Sequence, residues 1–82
     1  MYKNKTSDGR NNICGKNIRQ YRLNSEPKLS QRQIADMLQI YGIDLDKNAI
    51  QRIEAGKRFV TDIELKAIAK VLHLDYHLLL KP

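Results

Sequence analysis

Two four-residue stretches do most to limit what this chain can fold into. Ser30-Gln31-Arg32-Gln33 and Thr61-Asp62-Ile63-Glu64 each set a hydroxyl side chain three residues ahead of a Gln or Glu. That spacing is a capping box: the hydroxyl accepts from the N–H of the third helical residue, whose side chain reaches back to the N–H of the cap. Each stretch therefore marks a helix start. Apolar residues at helical spacing follow both, namely Ile34, Ala35, Met37, Leu38 and Tyr41 in one case and Ile63, Ala67, Ile68, Val71 and Leu72 in the other.

The remainder of the chain keeps the same period. Cys14, Ile18 and Tyr21 fall at i, i+4 and i+7 and predict a first helix that begins after Asn12. It ends near Leu23 or Asn24, because Pro27 in Asn24-Ser25-Glu26-Pro27 disfavours helix in the residue before it. Gly42 is a natural stop for the second helix, since glycine turns the chain at positive φ without a Cβ penalty. Asp46 caps a third helix beginning at Lys47, which Ala55-Gly56 closes, and Asp75 caps a short last one through Tyr76, His77, Leu78, Leu79 and Leu80. No stretch alternates with period two for long enough to suggest a strand. The expected fold is all-α, with five helices and short connections, over residues 13–82. Residues 1–12 are polar, basic and aperiodic, and are expected to form a flexible basic arm, either a solvated tail or one that reaches along a groove.

A chain of 82 residues holds one small domain. Its single cysteine cannot form an internal disulfide, and no metal-type Cys/His spacing accompanies it, so a reducing cytoplasm is the expected setting. Cys14 lies on the apolar side of its helix and is read as a packing residue. His73 and His77 are four apart, but the cap at Asp75 between them spoils a metal pair, and no metal or cofactor is expected. No long apolar run encodes a membrane span or secretory signal. Tyr21 and Tyr41 fall in core stripes. No histidine, cysteine or carboxylate converges with a plausible nucleophile and no phosphate-cradling glycine loop is present, which argues against an enzyme.

The net charge of +6 is unevenly placed. Lys3, Lys5, Arg10, Lys16, Arg19 and Arg22 stand against Asp8 alone in the first quarter of the chain, and Lys47, Arg52, Lys57 and Arg58 against Glu54 further on. Two basic blocks, rather than a uniform coat, are the electrostatic footprint of a polyanion binder. The second block carries the chemistry. At 100° per residue, Lys47, Asn48, Gln51 and Arg52 cluster near about 70° on the helical wheel, and Ala49, Ile50 and Ile53 near about 250°. The outward face thus bears long amide and cationic side chains, the types that pair with adenine and guanine edges in the major groove. Lys47 also stands at the first helical position, where the positive end of the helix dipole disfavours a cation. A local rule broken in this way points to a functional site.

Gly15-Lys-Asn-Ile18, Tyr21-Arg22, Leu29-Ser30-Gln31, Ile34-Ala35, Leu38 and then Ile50-Gln-Arg-Ile53-Glu54-Ala-Gly56-Lys57-Arg58 follow an order that resembles the Cro and phage-repressor type of helix-turn-helix family, also called the xenobiotic-response-element type. The likeness covers roughly residues 13–80. It implies a lambda-repressor-like domain in which the second and third helices form the helix-turn-helix and the third enters the major groove. By position, it implies base reading by Lys47, Asn48 and Arg52 with Gln51 flanking them. Gln31 would touch a phosphate and brace the recognition helix, while Lys57 and Arg58 would contact the DNA backbone. Arg22 and Glu54 match a structural pair that ties the first helix to the end of the third. Two departures stand out: the stretch from Leu38 to Ile50 is longer than usual, and Ala55 replaces a common Asn.

The functional expectation is a sequence-specific transcriptional regulator, a repressor binding double-stranded DNA at a palindromic operator. Three consecutive leucines cannot all be buried by one short helix, so Tyr76, Leu78, Leu79 and Leu80 are expected to form a homodimer contact. The competing expectation is a protein-interaction module, such as an antitoxin or anti-repressor, that uses the same fold.

Overall fold

The computed structural model describes residues 4–82. Among these the regular elements are five helices: α1 (Cys14–Asn24), α2 (Gln31–Ile40), α3 (Lys47–Glu54), α4 (Asp62–Val71) and α5 (Tyr76–Leu79). Both capping boxes form as the spacing predicts. Ser30 Oγ accepts from Gln33 N at 3.0 Å while Gln33 Oε1 accepts from Ser30 N at 2.7 Å. Thr61 and Glu64 repeat the exchange at the head of α4. Asp46 caps α3 through Ala49 N at 2.8 Å, whereas Asp75 precedes α5 without a side-chain capping bond.

Three helices end in one device. After α2, Ile43 N donates to Leu38 O and Gly42 N to Gln39 O; after α3, Lys57 N donates to Arg52 O and Gly56 N to Ile53 O; after α4, Leu74 N donates to Ala69 O and His73 N to Lys70 O. This is the Schellman pattern, which satisfies the orphan carbonyls of a last turn and needs a residue at positive φ. Gly42 (φ 77°) and Gly56 (φ 79°) adopt it freely, while His73 (φ 58°) adopts it at a steric cost.

Ile18, Ile34, Leu38, Leu45, Ile50, Ile53, Ile68 and Leu79 are the fully buried side chains and draw on every helix. The helices pack in a ring: α3 lies between α1 and α2, α4 packs on α2, and α5 closes the ring against α4 and α1. Gly15 makes the α1 crossing possible: a Cβ there would sit 2.0 Å from the Ile53 carbonyl oxygen. Residues 41–46 separate α2 from α3, longer than the turn of about 3–4 residues usual in the motif. Leu45, 1% exposed, pins that longer connection to the core.

Several expectations are corrected. Ile63 is 69% exposed rather than part of the core stripe. The buried residues of α4 are Ile68, Ala69 and Val71, with Leu65 and Leu72 packed beside them, and Ile63 lies about 140° around the helix from Ile68. Tyr41 caps the end of α2 instead of joining its stripe, and Lys70 Nζ stands 5.0 Å from its ring centroid. Leu79, expected at a dimer contact, is wholly buried. Asn17 of α1 holds α5 in place by donating to the carbonyls of Leu79 and Lys81, which turns Leu79 into the core and leaves Leu80 facing out.

Within the stretch expected as a basic arm, residues 6–12 make defined bonds. Thr6 to Arg10 closes a tight turn through Thr6 N to Arg10 O and Gly9 N to Thr6 O. Asp8 accepts from Thr6 Oγ1 and pairs with Lys16 Nζ at 2.7 Å, and these bonds hold its carboxyl down at about 2. Asn12 Oδ1 accepts from Gly15 N and so caps α1. Residues 6–12 are therefore laid against the domain; the part of the arm at residues 1–3 lies outside the described residues.

Candidate nucleic-acid interface

α3 divides its side chains as the wheel predicts. Ile50 and Ile53 are wholly buried, whereas Lys47, Asn48, Gln51 and Arg52 are exposed. Among the described residues, none of these four side chains makes a hydrogen bond or an ion pair. The first turn of the helix holds no acidic residue, so the Asp46 cap is the one anion that Lys47 meets at the positive end of the dipole among the described residues of this turn. An anion or a base acceptor near that end would relieve the mismatch. The Asp46 carboxylate already takes the Ala49 N–H there and leaves the Lys47 side chain itself without a partner among the described residues.

The opposite end of α3 is fixed by a charged network. Glu54 is 6% exposed and its carboxylate takes three donors: Arg22 Nε to Oε2 at 2.8 Å, Arg22 Nη2 to Oε1 at 2.9 Å and Gln31 Nε2 to Oε1 at 3.0 Å. Arg22 Nη1 donates onward to Leu29 O at 3.1 Å. A buried carboxylate is tolerable only with its lone pairs met, and the two-pronged guanidinium geometry meets them well. Hydrogen bonding to Glu54 also pushes the Arg22 guanidinium pKa up. α1, the start of α2 and the end of α3 thus meet at one carboxylate. Gln31, partly buried at the first turn of α2, spends one amide N–H on this brace.

Lys57 and Arg58 part company. Lys57 is exposed, and its side chain has no partner among the described residues. Arg58 is turned inward onto α4: Nη1 and Nη2 take the two oxygens of Glu64 at 2.9 and 3.1 Å, and Nη1 also donates to Phe59 O. The Glu64 carboxyl is held below its ordinary range, first by Arg58 and then by the Thr61 N–H. The structure therefore uses Arg58 as a tether of the loop between α3 and α4. Cys14 is buried, and desolvation pushes its thiol up to about 11, as suits an inert packing residue. His73 ends α4 in the left-handed region while His77 lies on α5, so the two do not share a helix face.

Sequence reasoning missed residues 10–12. Arg10 Nη2 donates to Glu54 O at 2.6 Å, Asn11 N to Gly56 O at 2.8 Å and Asn11 Nδ2 to Lys57 O at 3.0 Å. Asn12 Nδ2 donates both to Ile53 O at 3.1 Å and to Arg58 O at 2.7 Å. The cap at Asn12 carried a readable signal, an Asn ahead of an apolar-periodic stretch. The partners of Arg10 and Asn11, more than 40 positions away, carried none.

Comparison with known proteins agrees with this geometry. The model of a helix-turn-helix family matches residues 18–79, from the middle of α1 to the end of α5. No curated protein and no solved structure matches the chain. No helix of the described residues is long and apolar enough to cross a membrane. With the match extending over more than half its length, the chain belongs to the helix-turn-helix family of the Cro and phage-repressor type, a family of DNA-binding regulators.

Proposed function

We propose that this DNA-binding domain is a sequence-specific transcriptional repressor that binds a palindromic operator as a homodimer. The observation that carries the reading is the outward face of α3: four long polar side chains, all exposed and none committed to a partner within the described residues. Lys47, Asn48, Gln51 and Arg52 reach base edges. Asn and Gln suit the donor and acceptor pair of adenine, and Arg and Lys suit the two acceptors of guanine. Gln31, at the N-terminus of α2, and Lys57 take phosphates, and Arg58 contributes charge to the same side from its tether on Glu64. Repression is the simplest output, because occupying a duplex excludes whatever else must bind it.

Homodimerisation is supported by apolar surface that stands exposed among the described residues. Tyr76 and Leu80 are 56% and 42% exposed, and Ile63 and Phe59 beside them are 69% and 61% exposed. Leu78 is half-buried, and Leu79 belongs to the core. A two-fold contact through this face would present two α3 helices to half-sites about one turn of DNA apart. The reading is tested by fluorescence anisotropy on a duplex that the protein binds, compared with the same duplex carrying single base-pair changes. Asn48→Ala and Arg52→Ala are expected to bind the original duplex about 5- to 100-fold more weakly and to discriminate less at one position each. Equal losses on every duplex would overturn the assignment of base readers.

A further inference from the structure

The geometry points to residues 10–12 as a positioning clamp for the DNA-binding surface, an inference that rests on the DNA-binding reading of α3 and the loop after it. Side chains and backbone of these three residues donate to the carbonyls of Ile53, Glu54, Gly56, Lys57 and Arg58. Nearly every carbonyl from the last turn of α3 to the middle of the following loop is therefore held by one short stretch of chain. The stretch is itself anchored on both sides. Asn12 caps α1, and the Thr6 to Arg10 turn is fastened to α1 by the pair between Asp8 and Lys16.

Arg10 is the centre of the clamp. Its guanidinium sits at the C-terminus of α3, where a cation complements the negative end of the dipole, and its side chain lies flat over Gly56. Gly56 needs its glycine for the positive φ, and a Cβ there would come within 2.7 Å of Arg10 Cζ and displace the arginine from its present seat. None of these bonds is needed to build the core, to which residues 10–12 contribute no side chain. What they fix is the path of residues 53–58, and with it the place from which Lys57 leaves the backbone. A loop held in its binding geometry before the encounter loses less conformational entropy on binding. Residues 10–12 thus act on DNA affinity through Lys57 without touching DNA.

The test is a double-mutant cycle between Arg10→Ala and Lys57→Ala, read as duplex affinity by anisotropy on a labelled duplex bound by the parent, at a temperature where circular dichroism shows every variant folded. Arg10→Ala alone is expected to weaken binding about three- to tenfold, to be partly rescued by Arg10→Lys, and to have little further effect once Lys57 is Ala. Should Arg10→Ala fail to fold, Asn11→Ala serves in the same cycle, because it deletes only the exposed bond to the Lys57 carbonyl and keeps the backbone bond to Gly56. Parent-like affinity of the clamp variant, or losses that simply add, would overturn the inference while leaving the DNA-binding reading intact. A parent that binds no duplex under low salt would overturn both.

Discussion

At the scale of single residues, two backbone positions carry sharply different expectations. Gly15→Ala places a Cβ 2.0 Å from a carbonyl oxygen of α3. A main-chain atom cannot swing aside as a side chain can, so the substitution should cost about 1–3 kcal/mol or more of stability. A melting temperature equal to the parent's would show that α1 does not cross α3 as described. His73→Gly should do the opposite. Histidine at φ 58° carries the left-handed penalty, and glycine removes it at the cost of a more flexible unfolded chain, for a net gain of up to about 1 kcal/mol in denaturant melts. Neither effect was visible in the sequence. A glycine early in a helix and a histidine after one are both ordinary there; the contact and the dihedral exist only once the chain is packed.

At the scale of elements, the two charged tethers around α3 differ in burial and so in consequence. Removing Arg22 strands the Glu54 carboxylate, which is 6% exposed, and Arg22→Ala should destabilise by about 3–5 kcal/mol in urea melts. Loss of less than about 1 kcal/mol would mean that the carboxylate finds water in place of the guanidinium. The tether between Arg58 and Glu64 is more open, with side-chain exposures of 31% and 16%, and it leaves a pH signature. Because the folded-state pKa of Glu64 is depressed, its contribution is present above the ordinary value of 4.5 and is lost as pH falls through the folded value. Glu64→Gln should therefore narrow the stability gap to the parent on acidification below about pH 4. An unchanged gap across that range would remove the linkage.

Helix starts were the most legible elements because their determinants are local. A capping box is satisfied within four residues, and Ser30, Thr61 and Asp46 bond where their spacing says they should. The outward face of α3 was legible for the same reason, since a wheel needs only the residues on it. Ile63 was misread because a stripe drawn by eye accepts any apolar residue near the start of α4, whereas the packed face is set by α2 and α5. The contacts of residues 6–12 were not legible because polarity without periodicity looks like solvated chain. Their role comes from carbonyls of a loop that lies far along the sequence.

At the scale of the whole molecule, the +6 charge and the apolar face around Tyr76 and Leu80 make separate predictions. DNA binding should weaken steeply between about 50 and 200 mM salt as counterions are no longer usefully released, and Lys57→Ala should lower the slope of log affinity against log salt by about 1 while leaving base preference alone. Sedimentation at micromolar concentration should show a dimer that Leu80→Glu disperses; a monomer under all conditions would remove the two-fold arrangement.

The most direct measurement is selection of bound sites from a randomised duplex library with the parent protein and with a triple variant carrying Lys47→Ala, Asn48→Ala and Arg52→Ala. The parent should enrich two inverted half-sites about one DNA turn apart, and the variant should enrich none of those bases. The same sites recovered with both proteins would contradict the claim that the outward face of α3 reads DNA.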